Sequence, residues 1–528
     1  MNTKRKLNIW LPLLLGITMA IGIFLGFKLS NVFPREKIFV TDRKRPVDEV
    51  LSLIKNKYVD SVNIGNLSDT AIVAMLMQLD PHSQFIPAKM VETVNDDIAG
   101  NFYGIGIEYD IFNDTMNVLQ VIPGGPAEEA GMQMGDKILQ AGDSLMAGQH
   151  RDASEMRDIL KGNRGSELTI TVMRNNRKIS LKVKRDYVSV SSIDASYMIS
   201  PGIGYICLSK FTQQAYREFM IALDTLNKAG MKKLILDLRD NGGGVLEEAV
   251  EIADEFLSGD KLITYTEGLH VPKKEYRCRR TGQFETGELV VLCNGSSASA
   301  SEILLGALQD WDRATIIGGK TFGKGLVQEQ YSLSDGSALR LTISRYFTPL
   351  GRSIQRTYKK GIIAYYAAAE SRLENPDTTS IEDNKKFYTT PSGKKLYGGG
   401  GISPDIYGGK DSLKLTYNLA LIYSSKLIRN YAYFYSVKNR QGLMKWGSPE
   451  NYNNHFEVNK EMLHEFDELL SKDSLNITIE DLEKEEIIQL QRSIKISIAR
   501  QLWRSEGFYE VMNRDDVVIN QALEVLKK

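Results

Sequence analysis

The spacing of hydrophobic and polar residues divides most of the chain into four stretches with different periods. Apolar residues recur every three or four positions in 46–97, which predicts helices in segments such as VDEVLSLIKNKYV and LSDTAIVAMLMQL. Short alternating runs between turn residues predict strands in 98–186. Apolar runs followed by amphipathic segments predict alternating strands and helices in 187–408, and the helical period returns in 409–528. The pattern predicts a multidomain α/β (α+β) protein with a layered α/β core and a mainly helical C-terminal extension.

The amino terminus is apolar and carries no charge from Leu7 to Phe27, directly after basic residues 4–6. As a helix, a stretch of that length would span the roughly 30 Å hydrocarbon layer of a bilayer. The basic residues before it predict a cytoplasmic amino terminus. The alternative is a cleaved signal peptide, which the length of the run and the lack of an A-x-A site after it oppose. We predict a transmembrane signal-anchor helix over 7–29 and an exported bulk.

Composition narrows the classes of function. The 528 residues exceed one hydrophobic core, and 42% hydrophobic with 25% charged residues is typical of folded protein. Acidic and basic residues balance at 66 each, so no net field favours a nucleic-acid partner. Cys207, Cys278 and Cys293 form neither a disulfide framework nor a metal-ligand pattern, and no H-E-x-x-H motif appears. We predict no metal, no cofactor and no nucleic-acid partner.

Residues 98–186 contain the loop YGIG and, further on, the run GGPAEEAGMQMGDKI, followed by a hairpin that turns at 175–176. Together these features resemble a PDZ domain. A glycine-rich loop leaves backbone N–H groups free to hold a terminal carboxylate, and the adjacent strand edge accepts an extended peptide. The alternative is a PDZ-like fold that only packs internally. The resemblance implies a carboxylate-binding loop formed by Tyr103, Gly104, Ile105 and Gly106.

Small residues fill the junction GSSASASE between the predicted strand ELVVLCN and the predicted helix ILLGALQDW. Serines at such a junction either cap the helix or provide a nucleophile on a tight turn. The five histidines lie in other segments, so the candidate base is Lys324 in KTFGKGLVQEQ. A lysine acts as a base only if burial or neighbouring charge lowers its pKa from about 10.4. The alternatives, a capping serine and an exposed loop lysine, stay open from these residues alone.

A rival motif overlaps the lysine segment, because Gly318 to Lys324 reads G-x-x-x-x-G-K, close to a phosphate-binding loop. That motif requires Ser or Thr next, and this chain has Gly325. The predicted strand and turn that follow also replace the helix that would hold phosphate. A nucleotide-binding function is therefore disfavoured.

The runs SSASASEILLGALQD and GGKTFGKGLVQ resemble the signature of the C-terminal processing, or tail-specific, serine proteases. The resemblance implies that Ser299 is the nucleophile, Lys324 the general base, and Gln328 the residue that orients the lysine. If Lys324 and Gln328 share a strand, their even spacing puts both side chains on one face.

An oxyanion site needs backbone donors. In a protease of this family, the N–H of Ala300 and one N–H of the glycine loop 242–244 are the candidates, and we predict Gly243 for the second. Asp240 and Asn241 are expected to order that glycine loop, and a catalytic role for them is the alternative.

The order of segments also resembles this family. We predict a signal anchor at 7–29, a helical cap at 46–97, a PDZ domain at 98–186, a tail-specific protease core at 187–408, and a helical extension at 409–528. The extension has no counterpart in the family's minimal form.

The resemblance implies a serine endopeptidase that binds protein or peptide substrates by their C-termini. It would sit in the bacterial inner membrane with its catalytic part on the periplasmic side, and substrate binding would move the PDZ domain off the active site. The rival is a PDZ scaffold on a degenerate protease core, which the intact set of Ser299, Lys324 and Gln328 opposes. A homo-oligomer and an adaptor-bound form are both left open.

Overall fold

The computed structural model describes residues 12, 15–25, 28, 45–374, 386–408, 416–473 and 475–527. The chain forms two compact units, Met1–Ile72 and Val73–Lys528. Part of the predicted anchor over 7–29 lies outside the described residues, and its described residues 12, 15–25 and 28 are helical. Within the described ranges, no helix combines the length and the hydropathy needed to cross a bilayer. The membrane anchor therefore stays a prediction.

The stretch predicted as a helical cap contains a strand as well as helices. Its elements are α1 (Pro46–Lys57), α2 (Ile64–Leu76), β1 (Gln84–Ile86) and α3 (Ala88–Ala99). The boundary between the two units falls within α2. The strand β1, which was not predicted, pairs antiparallel with residues 338–340 of the protease region. Three residues show no period of their own, so only the partner strand defines this element.

The PDZ region is a small sheet with two helices against it. Its elements are β2 (Asn101–Gly104), β3 (Ile107–Phe112), β4 (Thr115–Val121), α4 (Pro126–Glu129), β5 (Lys137–Ala141), β6 (Ser144–Leu145), α5 (Ala153–Leu160), β7 (Glu167–Arg174), β8 (Arg177–Lys184) and β9 (Asp186–Ser189). The main sheet has the order β3-β4-β5-β7-β8, so β3 is an edge strand. The predicted hairpin is confirmed, with Asn175 and Asn176 at φ 49° and 60° between β7 and β8.

The protease region is a layered α/β structure, as predicted. Its elements are β10 (Ile193–Ser200), β11 (Ile203–Leu208), α6 (Ala215–Lys228), β12 (Lys233–Asp237), α7 (Leu246–Asp254), β13 (Leu262–Glu267), β14 (Lys274–Arg277), β15 (Glu288–Cys293), α8 (Ala300–Asp310), β16 (Thr315–Gly318), β17 (Leu326–Ser332), β18 (Ala338–Phe347), α9 (Ile362–Glu374), β19 (Phe387–Thr389), β20 (Lys395–Tyr397) and β21 (Ile406–Tyr407). We call the six-stranded sheet β10-β11-β12-β15-β16-β21 the catalytic sheet. Its strands from β11 onward are parallel.

The parallel order of the catalytic sheet brings two loops together. Because the carboxyl ends of parallel strands meet at one edge of a sheet, the glycine loop after β12 and the serine loop after β15 become neighbours. One face of the sheet is covered by α6, α7 and α8, whose apolar residues form a continuous core with it. A second sheet, β1-β18-β13-β14 with β17 paired to β18, carries the segment that follows Lys324.

The C-terminal extension is helical, as predicted. Its elements are α10 (Tyr417–Ser424), α11 (Leu427–Leu443), α12 (Pro449–His455), α13 (Lys460–Leu470), α14 (Lys484–Asn513) and α15 (Val517–Lys527). The helices have a core of their own around Phe466 and Ile494. The last helix, α15, packs Ile519 and Leu526 against the face of the catalytic sheet that α6–α8 leave open. The extension therefore supplies one layer of the protease fold.

Candidate active site

Ser299 occupies a strained turn between β15 and α8. Its backbone has φ 57° and ψ −115°, at the N-cap position of α8. A non-glycine residue held in such a conformation costs on the order of 1–3 kcal/mol, and such residues cluster at active sites. The turn is fixed to the loop after β12, because Ser297 Oγ donates to Leu238 O at 2.7 Å and Ala298 N donates to Asn241 O at 3.0 Å. This geometry favours a nucleophile over a simple capping serine.

Glu302 ties the serine turn to the lysine segment. Its fully buried carboxylate accepts hydrogen bonds from Ser299 N at 3.0 Å, Lys324 N at 2.9 Å and Gly323 N at 2.8 Å. Thr321 Oγ1 donates to the same carboxylate at 2.5 Å. The backbone of both predicted catalytic residues is thus held by one side chain.

Burial raises the pKa of Glu302 to about 7, while the four donors around it favour the ionised form. Glu302 was not among the predicted site residues. The signal for it is local, since Ser299 and Glu302 form an S-x-x-E capping box. Its contact with the lysine segment, however, depends on the folded core.

Lys324 is desolvated and held by an amide. Its Nζ donates to Gln328 Oε1 at 3.1 Å, and Gln328 Nε2 in turn donates to the carbonyl oxygen of His82. Burial lowers the pKa of Lys324, and the nearby Arg340 guanidinium lowers it further, against opposing contributions from Glu302 and Asp80. Lys324 is therefore not the exposed loop lysine of the alternative interpretation.

Lys324 and Gln328 do not share a strand, so the condition attached to their even spacing is not met. Lys324 precedes β17, which begins at Leu326, and the register with β18 shifts between Val327 and Gln328. The two side chains still lie together, because the loop before β17 and the register shift direct them to one place. The chain enters a strand after Lys324, so this segment lacks the helix that a phosphate-binding loop requires.

Ser299, Ala300, Lys324, Gln328 and Gly243 all line one cleft of about 900 Å³. The buried hydroxyl of Tyr346, also in the cleft lining, lies 2.9 Å from the carbonyl oxygen of Ser299 and 2.6 Å from that of Lys324. The structure thus brings the predicted catalytic residues and both predicted oxyanion residues to one place. The role of each residue remains a prediction.

Gly243 lies directly against the serine turn. It has φ 96°, and a Cβ at this position would stand 2.8 Å from Ser299 Cβ and 2.6 Å from Ala298 O. Its N–H donates to Asn241 Oδ1 at 2.8 Å, so Asn241 orders the glycine loop as expected. In the predicted oxyanion role, Gly243 would have to exchange this hydrogen bond for one to the substrate. Ala300 opens α8 on the other side of the nucleophile.

A second cavity, of about 510 Å³, follows the PDZ edge strand. It is lined by Gly104, Ile105 and Gly106 of the predicted carboxylate loop, by the start of β3, and by α5. Tyr103 is not among the lining residues, because its exposed ring packs on Tyr187 with 6.3 Å between centroids. We call this cavity the PDZ groove. Three of the four predicted loop residues therefore line it.

The PDZ groove and the catalytic cleft are adjacent. Asp97, Ser209 and Lys210 line both cavities, and Lys210 forms an ion pair with Asp97 between them. Across the described ranges, no three His, Cys, Asp or Glu side chains come together as metal ligands. The predicted absence of a metal and of a cofactor stays a prediction.

The fold and the cleft define a class, a serine peptidase with a layered α/β core and an attached PDZ domain. Models of three families match the chain. Peptidase family S41 matches 202–365, the PDZ domain matches 104–184, and a "Family of unknown function" matches 419–504.

A carboxy-terminal-processing protease of Bartonella bacilliformis is 34% identical over 313 residues, which are 58% of this chain and 71% of the relative. A probable CtpA-like serine protease of Staphylococcus aureus is 32% identical over 348 residues, which are 66% of this chain and 68% of the relative. A solved structure of the photosystem II D1 C-terminal processing protease is 29% identical, with a TM-score of 0.33, over 58% of this chain and 83% of its own. The chain belongs to the family of carboxy-terminal processing serine peptidases, and the resemblance seen in the sequence is confirmed.

Proposed function

We propose that this protein is an exported, membrane-anchored serine endopeptidase that selects proteins by their C-termini and cleaves them through a Ser299–Lys324 acyl-enzyme mechanism. The observation that carries the proposal is the arrangement around Glu302. One buried carboxylate holds the strained serine turn and the desolvated lysine segment in a common cleft. The uncharged run after basic residues 4–6 supports an anchor in the bacterial inner membrane with the catalytic part on the periplasmic side.

In the acylation step, neutral Lys324 Nζ takes the proton of Ser299 Oγ as the oxygen attacks the peptide carbonyl carbon. The new C–O bond forms while the carbonyl electron pair moves to its oxygen. When this intermediate collapses, the C–N bond breaks and Lys324 returns the proton to the leaving amine. A water then attacks the ester, losing a proton to Lys324, and Ser299 Oγ leaves and recovers that proton. Gln328 Oε1 orients the lysine amine through both steps.

The oxyanion is stabilised by backbone donors on both sides of Ser299. The N–H of Ala300 lies at the positive end of α8, where negative charge is favoured. The N–H of Gly243 is the second donor, after it leaves Asn241 Oδ1. Loss of one such donor typically costs on the order of 100-fold in rate.

Substrate selection takes place in the PDZ groove. A peptide that adds to edge strand β3 would place its terminal carboxylate at Gly104–Gly106, beside the cations Arg157 of α5 and Lys161 directly after it. Because the groove adjoins the catalytic cleft, the same polypeptide reaches Ser299 further along its chain. The rival function, a non-catalytic PDZ scaffold, is opposed by the lowered pKa of Lys324, which a binding module does not need.

The test is cleavage of an unfolded reporter protein with an apolar carboxyl terminus by the full chain in detergent. We expect Ser299→Ala and Lys324→Ala each to lose roughly 10⁴-fold or more in kcat, as serine peptidases do when a catalytic residue is removed. The matched controls are the exposed residues in Ser334→Ala and Lys359→Ala, which should cleave like wild type. Cleavage that survives both active-site changes would show that the catalytic residues are wrong, and an inactive wild type would favour the scaffold.

A further inference from the structure

The C-terminal extension reaches the glycine loop of the active site through one ion pair. We infer that Asp516, in the turn before α15, is a positioning residue for catalysis. It holds Arg239 and, through Arg239, the loop 238–244 that presents Gly243 to the nucleophile. This inference rests on the proposed function, since it takes Ser299 as the nucleophile.

The ion pair is direct and largely shielded from solvent. Arg239 Nη1 donates to Asp516 Oδ2 at 2.7 Å, and the two side chains are 16% and 15% exposed. The same guanidinium donates to Asp237 at the end of β12, with Nη2 2.6 Å from Oδ2 and Nε 3.0 Å from Oδ1. Arg239 thus bridges one carboxylate of the catalytic sheet and one of the extension. Charge-assisted pairs of this kind are strong and directional.

From Arg239 the loop continues in unbroken contact with the serine turn. Asp240, at φ 58°, exchanges two hydrogen bonds with Asn294 at 3.1 Å and 2.9 Å. The carbonyl oxygen of Asn241 accepts from Ala298 N at 3.0 Å and from Ser301 Oγ at 2.8 Å. Gly243, two residues after Asn241, lies directly against Ser299 Cβ. A shift of Arg239 is therefore transmitted to the groups around the nucleophile.

Asp516 is itself fixed by the docking of α15. Its Oδ1 accepts from Val518 N at 2.8 Å and Ile519 N at 3.1 Å, so it caps the helix that packs on the catalytic sheet. A cavity of about 350 Å³ borders both Arg239 and Asp516. Because the space beside the pair is open, the two carboxylates of Asp237 and Asp516, more than side-chain packing, hold Arg239 at this point.

The substitution Asp516→Asn separates the two roles of the side chain. Asparagine keeps an oxygen that caps α15. It places an uncharged amide group opposite the guanidinium, so the ion pair is lost. We expect kcat for the reporter to fall on the order of 10-fold with KM within about twofold, because small displacements near a reacting centre cost up to about 100-fold. Asp516→Glu, which restores the charge, should regain part of kcat. The control is Asp515→Asn, whose exposed carboxylate lies 3.6 Å from Arg492 Nε.

Four outcomes would overturn the inference. One is a wild-type kcat in Asp516→Asn while Ser299→Ala is inactive, which leaves the proposed function intact. The second is an equal loss in Asp515→Asn. The third is a loss in Asp516→Asn that Glu does not relieve and that follows a matching fall in the thermal midpoint, since this would show a structural role alone. The fourth is activity in Ser299→Ala, which would remove the proposed function and the inference with it.

Discussion

The extension contacts two regions of the molecule, the catalytic sheet and the PDZ domain, and the two contacts differ in kind. Against the sheet, α15 buries Ile519, Ala522 and Leu526 in an apolar layer. Against the PDZ domain, ion pairs at the surface accompany a few buried contacts, in which Gln120 Nε2 donates to Arg500 O at 2.8 Å and the buried Tyr433 packs on Phe112. Arg429 pairs with Asp110, and Arg504 lies 3.7 Å from Glu108 with both side chains at least 32% exposed.

The difference indicates which junction is permanent. Buried apolar area contributes roughly 25 cal/mol per Å² and is lost only when the layer separates. Exposed ion pairs contribute about 0–1 kcal/mol each and are screened by salt. Stacking of Phe112 on Tyr433, with 5.4 Å between centroids, adds a modest apolar contact to the PDZ side. The extension is therefore part of the protease fold, and we expect its junction with the PDZ domain to separate more easily than its junction with the sheet.

The largest effect is expected where the extension meets the catalytic sheet. Ile519→Ala should lower the free energy of unfolding by about 2–5 kcal/mol, because it leaves a cavity in a fully buried layer. The control Ile488→Ala removes an isoleucine that is 56% exposed and should change stability little. Denaturant unfolding of both variants measures the difference. Equal stability of the two would mean that α15 is not a layer of the fold.

The next largest effect is expected in the glycine loop that follows β12 of the catalytic sheet. Gly243→Ala should lower kcat about 100-fold, because its Cβ has no room against Ser299 and Ala298 and its φ is positive. Gly242→Ala is the matched control, since a Cβ there meets nothing within 4 Å. Steady-state cleavage of the reporter distinguishes them. Comparable rates in the two variants would contradict the close approach.

A smaller effect is expected on the pH dependence of the cleft. In the proposed mechanism Lys324 acts only when neutral, so kcat/KM should rise with pH through its lowered pKa. Removing a nearby cation in Arg340→Gln should raise that pKa and move the rising limb to higher pH. The exposed Arg345 of the same strand provides the control, Arg345→Gln, which should leave the profile unchanged. An unmoved limb in Arg340→Gln would exclude Arg340 as a cause of the shift.

The smallest stability effect is expected at the PDZ junction. Arg429→Ala should change the free energy of unfolding by about 1 kcal/mol or less, since the ion pair of Arg429 with Asp110 is partly exposed. If the PDZ domain moves during activation, the same change should alter cleavage in the absence of a C-terminal peptide. The control Lys426→Ala removes a more exposed cation 3.7 Å from Asp110. A large loss of stability would mean that this junction is as permanent as the other.

Local signals accounted for much of the fold. The hairpin at 175–176 and the helices of the extension depend on residues a few positions apart, and both were predicted. The strand β1 was missed, and the condition that Lys324 and Gln328 share a strand is not met. In both cases the contact that decides the local structure is with β18, which lies further along the chain than either segment.

The sequence by itself determined the class of protein and the serine and lysine segments, because those signals lie within short motifs. Only the tertiary structure decided that Glu302 joins the two segments, that α15 completes the catalytic sheet, and that Asp516 meets Arg239 across 277 residues of chain. The physical reason is range. Backbone preferences and periods act between near neighbours, whereas these contacts exist only after the parallel strands have brought distant loops to one edge of the sheet.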